Sequence, residues 1–288
     1  MIAAGALYKL FVGLILGIVQ GVSEWLPVSS KTQIIIASTY LLHITFQQAY
    51  TFGLFMELGA IIAAVIYFRR ELVSLIKVLF GRGTGIERKL FVYVVVATII
   101  TGIIGVPLYL IADSVTGISL GIPMMIVGLI LIIDSLLIGY SKRKQRQGGV
   151  NRRKLKDMTM KDYVLVGIAQ GIAALPGVSR SGTTTSAMLL MNVEPDEAFR
   201  LSFVIGIFAA VAAILLTLVV SHTNVSAVLS LIGTAGLVVA ILVATVVSLF
   251  LIDFLIKIAR KSKIAYLTAA LGIIAIVGGI IIVVFGGI

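Results

Sequence analysis

The sequence predicts an all-α integral membrane protein: an inverted-topology repeat with six transmembrane helices and two re-entrant helical hairpins. Three observations predict it. First, 60% of the 288 residues are hydrophobic and 12% are charged, whereas a soluble domain carries about a quarter charged residues. Second, long apolar runs are accompanied by two pairs of short ones, each pair broken by polar residues. Third, Gly17-Ile18-Val19-Gln20-Gly21 returns as Gly167-Ile168-Ala169-Gln170-Gly171, and Val28-Ser29 as Val178-Ser179, all at one offset of 150. Duplication accounts for all of these matches. The chain is read as one transmembrane domain, with a first repeat over 1–141, a basic cytoplasmic linker over 142–162 and a second repeat over 163–288.

Residues 11–26 form a hydrophobic helix in which Gln20 and Glu24, four apart, share a face. The stretch from Leu10 to Val22 lacks a basic n-region and a small-residue cleavage site, so it is read as retained structure. Pro27-Val28-Ser29-Ser30 breaks the helix, and residues 32–42 are apolar again. Crossing about 30 Å of hydrocarbon takes roughly 20 residues, so each arm is judged too short to span. Such a pair makes a re-entrant hairpin, tolerated where protein buries it or water reaches it. Residues 50–68 span and carry Glu57, and residues 72–80 form an amphipathic surface helix. Two more spans, 90–112 and 118–140, flank a turn at 113–117. Asp134 lies near the end of the second, where a helix-end pair with Lys142 is expected. The linker over 142–161 contains Gly148 and Gly149 and is expected to be mobile.

The second broken pair comprises residues 163–175 and 183–191. Pro176 and Gly177 end its first arm, and Gly182 is expected to turn the backbone again. Glu194, Pro195, Asp196 and Glu197 make a helix start. Spans follow at 198–220, 227–254 and 264–285, with a turn at 221–225.

Basic residues orient the chain. Placing the loops after residues 68, 140 and 254 inside puts the lysines and arginines in the cytoplasm, and the outer turns contain none. Three spans per half is an odd number, so the halves have opposite topology. One hairpin then enters from each face and the tips meet near the midplane, where inverted repeats with discontinuous helices build binding sites. The net charge of +11 is the positive-inside signal together with attraction to anionic headgroups, and nucleic acid is excluded as a partner. With no cysteine, and His43 and His222 the two histidines, disulfides, thiolate metal sites and His-rich zinc sites are excluded.

An arginine in bilayer-length apolar sequence is costly and marks a functional site by default. Arg180 sits among serines and threonines at a glycine-rich break that precedes a helix, an arrangement that cradles anions; a guanidinium beside it suits phosphate. Meeting tips gather Gln20, Glu24, Ser29, Ser30, Lys31 and Gln33 with Ser179, Arg180, Ser181, Thr183 and Thr184. Glu57, on the span after the first hairpin, is an accessory carboxylate. The alternative for Glu24 and Arg180 is mutual neutralisation within a packing kink. Trp25 is read as packing the hairpin, and His43 and His222 as interfacial.

The stretches Gln20-Gly-Val-Ser-Glu24-Trp-Leu-Pro-Val-Ser29-Ser30 and Pro176-Gly-Val-Ser-Arg-Ser-Gly182 resemble the two signature motifs of the undecaprenyl-diphosphatase family, the bacitracin-resistance phosphatases. The likeness extends to Leu58-Gly-Ala-Ile-Ile-Ala-Ala and to residues 198–203, and it covers essentially the whole chain. It implies an inverted repeat with two re-entrant hairpins and six spans. It also implies removal of the terminal phosphate from a polyprenyl diphosphate, leaving the monophosphate lipid carrier. Carried over by resemblance, Arg180 clamps the diphosphate and Ser179, Ser181 and Thr184 donate around it. Glu24 acts as base or holds a divalent cation, and Ser30 matches the nucleophile. Gln20, Ser29, Lys31 and Gln33 complete the substrate site. Hard oxygen ligands and a diphosphate suit Mg²⁺ or Ca²⁺. The implied partners are the polyprenyl diphosphate lipid and membrane lipids in the plasma membrane, with a homodimer left open.

The chain departs from the family pattern in three places. Lys31-Thr32-Gln33 stands where the family usually has a small residue, glycine and histidine, and Gln33 does not carry a proton at ordinary pH. Glu57 occupies a usual glutamine position and offers a replacement carboxylate. Phe208 occupies a usual proline position. The competing functional reading is a transporter of polyprenyl phosphate or another phospholipid, because broken helices in inverted repeats are transporter architecture.

Overall fold

A computed structural model describes residues 2–26, 29–114, 121–146, 152–175, 177–220, 222–260 and 264–285. In chain order its helices are α1 (Ile2–Ser23), α2 (Ser30–Leu42), α3 (Phe46–Tyr67), α4 (Arg69–Leu79), α5 (Gly85–Ser114) and α6 (Gly121–Arg146), then, after a 3-10 turn at Leu155–Asp157, α7 (Met160–Ile172), α8 (Arg180–Leu190), α9 (Pro195–Val220), α10 (His222–Arg260) and α11 (Ile264–Phe285). Five stretches among the described residues are long and apolar enough to cross a bilayer: Gly5–Ser23, Gly85–Ile111, Pro195–Val219, Ile232–Ala259 and Ala265–Val284. Their outward faces carry bare apolar side chains such as Val219, Val246, Phe250 and Ile274, which water would not tolerate as one continuous surface. The chain is a multi-pass membrane protein.

Helices start where the sequence supplies an oxygen for their first free N–H groups. Ser29 caps α2 by accepting from Thr32 N, and Ser179 caps α8 by accepting from Gly182 N. Thr45 and Gln48 form a capping box at α3, as Thr159 and Asp162 do at α7. Pro195 opens α9 with Asp196 and Glu197 in its first turn, where their charge favours the helix dipole. Residues 72–80 were expected as a surface helix; α4 covers most of them and is amphipathic, with Ser74 and Leu75 its buried residues.

Several expectations are corrected. The first hairpin arm is not short: α1 has 22 residues, enough to cross, because Lys9 is accommodated within it. The Lys9 stem lies against Gly233, where α10 leaves helical geometry at φ 70. The chain is already helical from His222, so residues 222–225 of the expected turn belong to α10. Gly182 does not turn the backbone; it lies in the first turn of α8, and the left-handed residue at this break is Gly177, at φ 86. The second part of the linker is not free. Arg153 N donates to Asn192 O at 2.9 Å and Glu194 N donates to Arg153 O at 2.8 Å, while Leu155 and Met158 are buried in the core. The break residues Pro27, Val28 and Pro176, most of the turn at 113–117, Gly148 and Gly149, and the side chains of Asp134, Lys142 and His222 lie outside the described residues.

Packing follows the small residues. Methyl groups placed on Gly17 and Gly21 of α1 would strike Ala240 O at 2.6 Å and Val247 Cβ at 2.7 Å on α10. On Gly167 and Gly171 of α7 they would strike Ala97 O at 2.8 Å and Ile104 Cβ at 2.7 Å on α5. Side-chain-free positions let these backbones meet. In both pairs the contacts rise together along the two chains, so α1 runs parallel to α10 and α7 parallel to α5. Gly121 meets Gly279 and Gly128 meets Gly272, so α6 and α11 run antiparallel. Helices α3 and α9 pack on each other between these pairs. Trp25, Phe199 and Phe68 surround Phe203 edge-on, with Trp25 at 4.9 Å, so Trp25 packs the hairpin as expected. At the face that carries α4, Arg200 joins Glu71 and Glu197 at 3.3 and 3.0 Å.

Candidate functional site

The gap between α1 and α2 and the gap between α7 and α8 face each other. Glu24, just past the end of α1, is buried and forms an ion pair with Arg180, the first residue of α8. Its other oxygen, Oε2, accepts from Gln20 Nε2 and from Ser30 Oγ, each at 2.8 Å. The four-residue spacing seen in the sequence is what lets Gln20 reach Glu24 along one helix face. Arg180 also donates through Nη1 to Gly206 O at 2.8 Å and to Glu57 Oε2 at 3.5 Å. Lys31 donates to Ala173 O at 3.2 Å, tying the first turn of α2 to the end of α7.

Glu24, Ser29, Ser30, Lys31, Glu57, Val178, Ser179 and Arg180 line one small cavity. Two carboxylates and two cations therefore share a small space, at the N-termini of two helices whose free N–H groups favour an anion. Serine is a weak nucleophile until a neighbouring base takes its proton, and the Ser30–Glu24 hydrogen bond is such a pairing. A second, largely apolar cavity adjoins the first and shares Lys31, Glu57 and Arg180 with it. Its remaining walls come from α5, α7 and α9, among them Thr98, Thr101, Gln170 and Ala209.

Not every residue singled out in the sequence faces this space. Ser29 and Ser179 line it, but their hydroxyls accept helix N–H bonds as caps. Ser181 donates to Leu26 O at 3.0 Å and lies 3.3 Å from Ser179 Oγ, holding the two breaks together. Thr184 donates to Arg180 O at 2.7 Å and meets Ser202 Oγ at 2.5 Å. Thr183 turns back onto Ser179 O and Arg180 O. Gln33 is half-buried one turn along α2 and is not among the residues lining the small cavity. His43 is exposed at the end of α2 with left-handed backbone.

Gly206 and Ala173 enter the site through backbone carbonyls, which leave no mark in a sequence. Thr98 and Thr101 were missed because a threonine inside a span ordinarily bonds its own helix, as Thr101 does to Ala97 O at 2.7 Å. Gln170 had a signal, its match to Gln20 in the repeated motif.

Residues 13–281 match the family model described as bacitracin resistance protein BacA. The chain is similar to the undecaprenyl-diphosphatase of Saccharolobus solfataricus, 48% identical over 273 residues that cover 94% of this chain and 96% of the relative. It is similar to the undecaprenyl-diphosphatase of Sulfurisphaera tokodaii, 46% identical over 92% of this chain and 95% of the relative. That of Pyrobaculum aerophilum is 36% identical over 95% of this chain and 98% of the relative.

Proposed function

The chain belongs to the bacitracin resistance protein BacA family, and from that membership we propose that it hydrolyses undecaprenyl or another polyprenyl diphosphate to the monophosphate lipid carrier and inorganic phosphate. The observation that carries the residue assignment is the Ser30 hydroxyl on the Glu24 carboxylate at 2.8 Å, beside the Arg180 guanidinium.

The reading includes an architecture: six spans and two re-entrant hairpins in an inverted repeat, in the plasma membrane. Support comes from the exchange of partners between halves. Gly17 on α1 meets α10 in the way that Gly167 on α7 meets α5, and Ser29 and Ser179 cap the helices after the two breaks. On this reading the hairpins come in from opposite faces, and the parallel packing of α1 on α10 and of α7 on α5 supports it.

In the proposed reaction the diphosphate competes with Glu24 for Arg180, which frees the carboxylate to take the Ser30 proton. Ser30 Oγ attacks the terminal phosphorus as the bridging P–O bond breaks, and the monophosphate lipid leaves as an anion balanced by Lys31 and Arg180. Water then displaces the serine oxygen from phosphorus, Glu24 returns its proton to that oxygen, and the hydrogens of the water leave with inorganic phosphate. Phosphoryl transfer asks a protein chiefly for positioning and electrostatic stabilisation. Both are supplied by groups fixed at the helix breaks.

A divalent cation fits this donor set. Glu24 and Glu57 line one cavity, and Mg²⁺ typically takes one or two carboxylates together with substrate phosphate oxygens. Glu24 and Glu57 would hold the Mg²⁺ or Ca²⁺ together with substrate phosphate oxygens. When bound, the ion offsets phosphate charge.

Purified protein given a polyprenyl diphosphate and Mg²⁺ tests the proposal. Monophosphate lipid and inorganic phosphate should appear in equal amounts, and chelation should suppress both. Protein-dependent movement of the lipid across a vesicle with no phosphate release would overturn the phosphatase reading in favour of a transporter.

A further inference from the structure

Two offsets relate the halves. The hairpins and the helices that follow them are related by 150, as Gly17 is to Gly167. The helices under those glycines are related by 143: Ala97 and Ile100 lie under Gly167, and Ala240 and Val243 under Gly17. On these offsets the seam between α3 and α10 is equivalent to the seam between α9 and α5.

The two seams are in unequal states. A methyl group on Gly59 of α3 would lie 2.7 Å from Ala244 Cβ and 2.8 Å from Ile241 O on α10, and Thr245 donates to Gly59 O at 3.0 Å. That seam is shut, backbone against backbone. The equivalent positions are Ala209 on α9 with Thr98, Thr101 and Gly102 on α5, and all four line the apolar cavity that reaches Lys31, Glu57 and Arg180. Buried oxygens without a partner stand in both halves. Thr98 Oγ1 and Gln170 Oε1 line the open side without a partner, and Gln20 Oε1, the repeat mate of Gln170, is buried without a partner in the shut half. A tyrosine hydroxyl marks each seam, bonded at 3.3 Å in Tyr67 to Asp253 at the α4 face and at 3.5 Å in Tyr109 to Thr217 toward the other.

We propose that the two seams exchange states. The α3–α10 seam parts as the α5–α9 seam closes, so that a lipid phosphate head at the midplane site is offered first to one face and then to the other. This rests on the inverted-repeat reading and adds to hydrolysis a second activity, transfer of the polyprenyl monophosphate head between leaflets. Close to the site the α9 wall presents only methyl groups, from Ala209, Ala212 and Ala213; the bulkier Val106, Tyr109 and Leu216 line the rest of the cavity. Rocking of one repeat against the other around a fixed site is how inverted repeats change access.

The chain contains no cysteine, so single substitutions in the full-length protein report directly. Oriented vesicles carrying Thr101→Cys or Ala244→Cys are treated with a membrane-impermeant maleimide from either face. Thr101→Cys should label from the face opposite α4. Ala244→Cys should label from the α4 face at roughly a tenth to a thousandth of that rate, the reach of a state populated at about 0.1–10%, and polyprenyl monophosphate should change both rates. If Ala244→Cys does not fold, Ile241→Cys gives the same reading. No labelling at the shut seam above the cysteine-free parent, in protein that still releases phosphate, overturns the exchange and leaves the phosphatase standing. Labelling of both positions without phosphate release would leave the exchange standing and overturn the phosphatase.

Discussion

Arg180 and Glu24, at the ends of two different broken helices, form one buried ion pair. Burial of such a pair costs more than the attraction returns unless other hydrogen bonds complete both groups. Gln20 and Ser30 complete the carboxylate, and Gly206 O completes the guanidinium. Removing one partner leaves an uncompensated charge, at a cost of about 3–5 kcal/mol. Arg180→Met should therefore destabilise the protein by about that amount, and Glu24→Gln combined with Arg180→Met should cost less than the sum of the single changes. Unfolding in detergent, arranged as a double-mutant cycle, checks this; strict additivity would show that the pair does not link the hairpins energetically.

Glu57 lies 3.5 Å from the same guanidinium and borders both cavities. A carboxylate can bind a proton or a cation at this position, which the amide of Gln33 cannot. Glu57→Gln should lower kcat about 10²-fold, the lower end of general acid–base assistance. Unchanged turnover would remove Glu57 from the reaction.

How much of this was legible depended on what kind of atom carried it. Arg180 and Glu24 stood out because charge in apolar sequence is expensive, and Ser30 because it follows a proline break. The repeat was visible as Gly17 and Gly167, whose role in helix contact explains why the glycines recur. Helix α1 was read from residue 11, whereas it starts at Ile2 and takes in Lys9, whose stem lies along Gly233. Residues 152–161 were read as a free linker because basic residues masked Leu155 and Met158, both buried. The carbonyls of Gly206 and Ala173 could not be found at all, since any residue supplies one.

The glycine contacts predict a contrast in stability. At Gly17 a Cβ would lie 2.6 Å from Ala240 O, whereas at Gly102 nothing lies within 4 Å. Gly17→Val should cost about 1–3 kcal/mol through overpacking, while Gly102→Ala should be neutral or stabilising by up to about 1 kcal/mol. Thermal unfolding of the two variants in the same detergent checks the contrast. Equal effects would mean that close approach of α1 and α10 is not what Gly17 provides.

At the base of α7, burial alone would raise the Asp162 carboxyl. The guanidinium of Arg153, at 3.1 and 2.5 Å, and the amide and hydroxyl of Thr159, at 2.6 and 2.9 Å, together hold it below its ordinary value of 3.8. A carboxylate depressed on folding contributes stability that is complete above the ordinary value and is lost as pH falls through the folded one. Asp162→Asn should therefore destabilise by about 1–3 kcal/mol at neutral pH, and the gap to the parent should shrink on acidification below 3.8. A gap independent of pH down to that range would mean that the charge of Asp162 contributes nothing.

Ser30 and Thr183 both carry hydroxyls at the helix breaks, but Ser30 meets Glu24 at 2.8 Å whereas Thr183 bonds backbone carbonyls of its own helix. Phosphate release from polyprenyl diphosphate by folded Ser30→Ala, measured beside Thr183→Ala, therefore tests most directly whether the two breaks form the hydrolytic centre. Loss of at least about 10²-fold for Ser30→Ala, with Thr183→Ala within a few-fold of the parent, is the predicted result. Undiminished release by Ser30→Ala would contradict it.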